Sequence, residues 1–473
     1  IAGVHYVPYA THSQKTGYME QRVEDYWNSF CEATKALIAK SGVGSERIVG
    51  LAMSQTTADV ILTDADGNAL ADCIIWIDSR ANAQAEEINA RAGYALYQGK
   101  NVPPKVKWIK ENQPALFEKA AYLLDVSAYL YLRLTGEYAY DITGAFGSQM
   151  LEEESWTWSE RKLAWAEIPR KLLPDRIVGA TEKVGTVLPA AAKETGLMAG
   201  VPVFGGCSDN ANGQIGTGCI RSGDIHLYIG SSSWFEVTTH DAEEHRGPYP
   251  SAMDGMRYHF RCTDSACSSI DYVLRTFYKQ ELDTMGDAVY GLMNGEIEAA
   301  RQNPQDVLFL PFLFGEQDPV ADMTVRGTLL NITPTTTRGH IACAVMEGVA
   351  FNLRWMKEQQ IERTGRWTNK PIRTYGGGSI SNTMMQITAD VLNDTLVRLC
   401  DPRTVGNVGI AVCAGIGLGI SADFTVLDDI VKGEKHFIPN AETQAAYQRK
   451  YAICRGAYEA LKDTYNALNG AQL

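Results

Sequence analysis

An α/β protein of two domains is what this 473-residue chain predicts, on three observations. Short β-rich runs alternate with helical stretches, several of the strands empty into glycine-dense turns, and the chain is longer than one hydrophobic core usually fills. The first predicted domain spans residues 1–219 and the second 220–473, with the crossing around residues 219–223.

In the first half, β-branched and aromatic residues mark strands at 48–53, 60–62, 73–76 and 201–204. Helical stretches fall between them at 22–39, 81–90 and 105–111. In the second half, strands at 224–229 and 372–375 alternate with helices at 269–280, 337–363, 382–392 and 410–418. Residues 443–468 have helix-forming composition and close the chain as a terminal helix. No low-complexity linker or short repeat interrupts this order.

Residues 205–218 read Gly-Gly-Cys-Ser-Asp-Asn-Ala-Asn-Gly-Gln-Ile-Gly-Thr-Gly and place a single carboxylate, Asp209, in a glycine-dense turn after an apolar strand. Glycine permits close backbone approach and positive φ, so such a loop displays bare N–H groups and an acid to a small ligand. A tight turn capped by an aspartate is the plain alternative. Gly230-Ser231-Ser232-Ser233 follows the strand at 224–229, and its hydroxyls and amides suit phosphate oxygens. Gly376-Gly377-Gly378-Ser379 follows the strand at 372–375 and precedes a helix beginning at Asn382, which suits a nucleotide at a helix N-terminus. None of these turns has Walker A or G-x-G-x-x-G spacing.

Taken in order, these segments resemble the FGGY family of carbohydrate kinases over nearly the whole chain. Gly17-Tyr18-Met19-Glu20-Gln21, followed by Asp25-Tyr26-Trp27, is similar to the family's G-W-x-E-Q segment. Trp76-Ile77-Asp78-Ser79-Arg80 resembles its W-x-D-x-R substrate-site motif. Residues 104–114 match a P-K-x-x-W-x-K-x-x-x-P helix, and 125–136 a D-x-x-x-Y-x-x-x-x-L-T-G pattern. Residues 310–319, then Arg326-Gly327, resemble the L-x-G-E-R-x-P to R-G stretch, and 340–350 fit the C-terminal signature, with Asn331 where that signature normally has glycine.

The resemblance implies two actin-like ATPase (ribonuclease H-like) domains with an interdomain cleft that closes over both ligands. It implies a sugar-binding N-terminal domain, a nucleotide-binding C-terminal domain, and phosphoryl transfer from ATP with Mg2+ to a small sugar or polyol. By resemblance Asp209 is the general base, and Asp78, Arg80, Thr57, Asp209 and Asn210 meet the substrate. Gly230, Ser231 and Ser232 form the phosphate loop, while Gly376, Gly377, Gly378, Ser379 and Asn382 lie beneath the nucleotide. No metal ligand is assigned. A homodimer would be unsurprising for the family.

Two departures bear on these expectations. The family's first phosphate loop, an Asp-x-Gly-Thr turn, has no counterpart, and the chain begins at Ile1 within what resembles a later strand. The expectation is a fragment lacking the opening strands, inactive as it stands. Xylulokinases carry S-G-Q-M-H-G and glycerol kinases N-Q-R-E-T where this chain has Ser54-Gln55-Thr56-Thr57-Ala58-Asp59. The glutamine is kept and the bulky Met and His are gone, which leaves the sugar open.

The balance of 43 basic to 56 acidic residues gives a net charge of −13, which argues against nucleic acid and anionic membrane as partners. No apolar run approaches a membrane span. The 10 cysteines include no C-x-x-C pair and sit mostly among apolar neighbours, as reduced thiols in the cytoplasm do. Cys207, beside Asp209, is the one worth testing for reactivity.

Each candidate has a plainer reading. Asp78 and Arg80 fit a surface ion pair slightly better than a sugar site on sequence alone. Ser231 to Ser233 fit turn-amide partners, and Gly376 to Gly378 a bare crossover. Glu347 reads as a buried structural acid, and His226 and His340 as structural. Three functions follow: a pentulose kinase on xylulose or ribulose, a kinase of glycerol or another polyol, and a non-catalytic actin-like nucleotide sensor or scaffold.

Overall fold

The computed structural model describes residues 1–15, 17–240 and 249–470. Its contacts divide into two compact units, one made of residues 1–216, 241–257 and 406–427 and the other of 217–240, 258–405 and 428–473.

In the first unit the strand Pro202–Ser208 is central to a three-stranded sheet, parallel to Leu51–Gln55 and antiparallel to Lys183–Thr186. Its register sets Gln55 opposite Ser208, so both strands finish at the same edge. The helices Val126–Thr135 and Ile142–Gly147 each begin on an aspartate cap, Asp125 accepting from the Ala128 N–H and Asp141 from those of Thr143 and Gly144. An aspartate there satisfies orphan amides at the helix start. The helix Val102–Asn112 carries the Pro-Lys motif at its N-terminus, where proline costs no hydrogen bond.

In the second unit the strand order runs Met256–Thr263, Ser233–His240, Ile225–Ile229, Ile372–Tyr375, Leu396–Leu399, Gly433–Phe437. Ile225–Ile229, Ile372–Tyr375 and Leu396–Leu399 are mutually parallel, so the turns that follow the first two open side by side. Ligands of α/β sheets gather at such carboxyl ends. One face is covered by the 27-residue helix Arg338–Thr364 and by Asn382–Leu392. Thr337 caps the long helix, and His340 answers from the third position, its Nδ1 accepting the Thr337 N–H at 3.2 Å. The terminal helix Gln444–Asn469 buries Tyr447, Tyr451, Cys454, Tyr458 and Tyr465 along one stripe, the 3.6-residue spacing of a half-buried helix.

The expected helix at 382–392 is found at those bounds, and those at 22–39 and 443–468 shift by one or two residues to Val23–Ser41 and Gln444–Asn469. The glycine-dense loop expected from 205 to 218 is instead the end of a strand and a helix, Asp209–Gly216. Ser208 accounts for the difference: its hydroxyl accepts the Ala211 N–H at 3.4 Å and starts the helix.

Candidate active site

Asp209 stands at the junction of that strand and helix, where Gly206 has φ 63° and a side chain at Gly206 would strike the Met53 carbonyl. The close approach bends the strand just ahead of the acid, opposite a register shift between Ala52 and Ser54. The Ser208 N–H donates to Thr143 Oγ1 at 2.7 Å and the Asn210 N–H to Asp209 Oδ1 at 2.9 Å. Asp209 is exposed, yet crowded by surrounding protein, which pushes its carboxyl up to about 6. Desolvation is the main cause, the Asn210 N–H opposes it, and the charge of Asp59 adds to it.

Asp59 is fully buried and was not singled out by the sequence. It accepts the Trp76 N–H at 3.0 Å and the Thr56 hydroxyl at 2.7 Å, and burial pushes it up to about 6 against the pull of Thr56, Lys105 and the Trp76 amide. Lys105 is buried too, its Nζ donating to the carbonyls of Ala58 at 3.1 Å and Ile75 at 2.8 Å. Desolvation lowers it to about 8, with Asp59 and Asp78 resisting. Thus one buried ammonium ties the Thr56–Asp59 turn to the segment that leads into Trp76.

Asp78 and Arg80 are not a surface pair: their side chains are 0% and 2% exposed. Arg80 Nε and Nη2 fork onto Asp78, the latter at 2.7 Å, and Nη1 meets Glu20 at 2.8 Å. Asp78 also takes the N–H groups of Met19 at 2.5 Å and Arg80 at 3.0 Å. The guanidinium lies 4.0 Å from the Tyr18 ring centre and 5.0 Å from that of Trp108, so the apolar slot is filled by a planar cation. This arrangement leaves Trp76 and Ile77 exposed. Thr57 is half-buried against Gly147, and Ala58, in line with the last glycine of S-G-Q-M-H-G, adopts φ 66°.

In the second unit Gly230 is buried, Ser231 exposed and Ser232 half-buried. The turn is held from behind: Ser231 O accepts from Ala266 N–H at 2.9 Å and Ser268 Oγ at 3.0 Å. Gly376 has φ 94°, and a Cβ there would come within 2.5 Å of Ile229 O, so the turn requires glycine. Its N–H donates to Pro402 O at 3.0 Å, Gly377 is exposed, and Gly378 is half-buried. Ser379 is buried, its hydroxyl donating to Gly376 O at 2.7 Å, and Asn382 Oδ1 accepts from Arg398 Nη1 at 3.0 Å. Gly377 and Ser231 are thus the exposed members of the two turns, whereas Ser379 and Asn382 brace the second turn from within.

Cys207 is a correction: it is buried and its thiol is pushed well up by contact with Cys413 and by burial, the reverse of a reactive thiol. His226 is fully buried and lowered to about 3 by desolvation, hence neutral. Glu347 is a buried acid paired with Lys450. Among the described residues no group of three or more His, Cys, Asp or Glu side chains is placed to hold a metal ion, and no helix is long and apolar enough to cross a membrane. Asp209, a lone exposed carboxylate, is a donor of the kind that a divalent cation already carried by nucleotide phosphates can accept.

The two α/β units match the two-domain mixed α/β fold of sugar kinases, the actin-like ATPase fold. The FGGY family of carbohydrate kinases matches by its N-terminal domain over residues 1–216 and by its C-terminal domain over 227–418. The chain belongs to this family and is a carbohydrate kinase acting on a small-molecule sugar. It is 28% identical over 469 residues to the xylulose kinase of Bacillus subtilis, covering 96% of this chain and 91% of that one. The glycerol kinase of Thermococcus kodakarensis is 25% identical, covering 98% and 92%. Among solved structures, the xylulose kinase from Rhodospirillum rubrum superposes with a TM-score of 0.84 at 24% identity, over 97% of this chain and 94% of its own.

Proposed function

We propose that this chain transfers the γ-phosphoryl group of ATP to a hydroxyl of a pentulose, with xylulose the first substrate to test and ribulose next. The observation that carries the reading is Asp209: an exposed carboxylate poised near 6 is mostly ionised at neutral pH yet basic enough to take a proton from an attacking hydroxyl. Phosphoryl transfer asks the protein mainly for position and charge stabilisation, so a single well-aimed carboxylate is the covalent chemistry's whole demand on it. The likeness to xylulose kinases supports the choice of sugar.

In this reading Thr57, Asn210 and the exposed Trp76 line the sugar side. Asp78 and Arg80, whose side chains are 0% and 2% exposed, shape the sugar side from behind by holding the segment that carries Trp76. Ser231, Ser232 and Gly377 receive phosphate oxygens, and Gly376, Gly378, Ser379 and Asn382 shape the floor beneath the nucleotide. A Mg2+ bound with the nucleotide would neutralise phosphate charge.

Thr56 and Thr57 favour a second reading as a kinase of glycerol or another polyol, because no bulky side chain there marks out a five-carbon ketose. ADP release measured with ATP and Mg2+ against pentuloses, pentitols, hexuloses and glycerol decides between them. Turnover concentrated on one pentulose supports the first reading; turnover on glycerol with none on any pentulose replaces it with the second.

A further inference from the structure

Behind Asp209 lies a buried cluster that the reaction as described does not use. Gln55, at the end of one strand, and Asp125 and Asp141, the caps of two successive helices, are 8%, 3% and 0% exposed. Gln55 Nε2 donates to Asp125 Oδ2 at 2.8 Å and to Asp141 Oδ2 at 3.3 Å, while Gln55 Oε1 accepts the Ser127 N–H. A side-chain carbon at Gly144 would meet both carboxylates, at 2.6 and 2.8 Å, and the Gln55 amide that bridges them, at 2.9 Å. Among the described residues no Lys or Arg hydrogen-bonds either acid; the other titratable groups facing them include Asp59, Tyr131, Tyr138, Tyr140 and Cys207.

The chain of contacts runs from this cluster to the candidate base. Asp141 Oδ1 accepts the Thr143 hydroxyl at 2.5 Å, and with its proton so committed Thr143 Oγ1 accepts the Ser208 N–H at 2.7 Å. Ser208 is the residue before Asp209 and the ladder partner of Gln55. A buried hydrogen-bonded network of this kind fixes one geometry, because each member left unpaired costs its full desolvation.

We propose that Asp141 and Thr143, anchored by Gln55 and Asp125, are positioning residues that set the aim of the Asp209 carboxylate. The inference rests on Asp209 being the general base. It goes further in assigning the orientation of that base to residues that touch neither ligand.

The test is steady-state kinetics per folded molecule for Thr143→Val, Thr143→Ser and Asp209→Asn, on the sugar that the unaltered enzyme phosphorylates. Misplacing a reacting group by under an ångström costs on the order of 10- to 100-fold, so T143V is expected to lose about that much kcat with the sugar KM little changed. T143S, which keeps the hydroxyl, is expected to recover most of the loss, which a role in folding alone would not require. An inactive D209N beside a T143V of undiminished kcat overturns this inference alone. A D209N with full turnover removes the base assignment and this inference with it. Where T143V does not fold, Thr143→Ala, which also removes the hydroxyl, carries the test: a fall in kcat at constant KM supports the inference, and an unchanged kcat overturns it.

Discussion

Arg80 forks onto Asp78 with both side chains almost wholly out of water, and its third contact, to Glu20, reaches back to the start of the chain. A pair of this kind is expensive to desolvate, and removing one partner leaves a buried charge uncompensated. Arg80→Met should therefore cost about 3 kcal/mol or more of folding stability. Arg80→Lys, which keeps the charge but loses the planar fork, should cost less, about 1–2 kcal/mol. Urea midpoints at unchanged m-value measure both; equal stability of R80M and the unaltered protein would contradict the account.

Activity should follow the ionisation of Asp209. A general base works deprotonated, so kcat/KM is expected to rise with pH through about 6 and level off above it. Since the negative charge of Asp59 contributes to holding Asp209 up, Asp59→Asn should move that acidic limb to lower pH. A limb that stays in place in D59N would show that the two carboxylates do not interact.

The Asp125 and Asp141 pair predicts a pH dependence of stability. Burial and the charge of Asp141 raise Asp125 above the ordinary carboxylate range. From about pH 4 up to its raised titration the folded state holds a proton that the unfolded chain has released, so stability falls as pH rises across that window. Asp125→Asn removes the group, and its Tm should decline less steeply than that of the unaltered protein over the same range. Parallel Tm curves would contradict the prediction.

Ala58 occupies the left-handed region at φ 66°, as does Asn331 at φ 63°. Asparagine tolerates that conformation, and Asn331 Nδ2 further donates to Asp306 O at 2.9 Å, but alanine carries the full steric penalty of its Cβ. Ala58→Gly is expected to stabilise the fold by about 0.5–1 kcal/mol, the steric relief less the added entropy of the unfolded chain. Calorimetry showing a lowered Tm would mean that the Cβ makes contacts worth more than its strain.

What the sequence disclosed and what it concealed divide along a physical line. Strands such as 225–229 and helices such as 382–392 were legible because hydrophobic spacing is local, and the family motifs singled out Asp209, Asp78 and Arg80 as candidates. The glycines around Asp209 misled, since Gly206 serves a close strand contact and Ser208 caps a helix that propensity disfavours. Asp78 and Arg80 looked like a surface pair because burial is not written in a two-residue spacing. Asp59 and Lys105 stood inside motifs already noted but without a role, and the meeting of Gln55, Asp125 and Asp141 depends on strand register and helix packing that no local pattern carries.

The most direct test is Asp209→Asn, assayed for xylulose-dependent ADP formation alongside separate measurements of ATP and xylulose binding. The account predicts that turnover falls by about 10²- to 10⁴-fold, the contribution of a positioned base, while both ligands still bind. A variant that phosphorylates xylulose at the unaltered rate would contradict it.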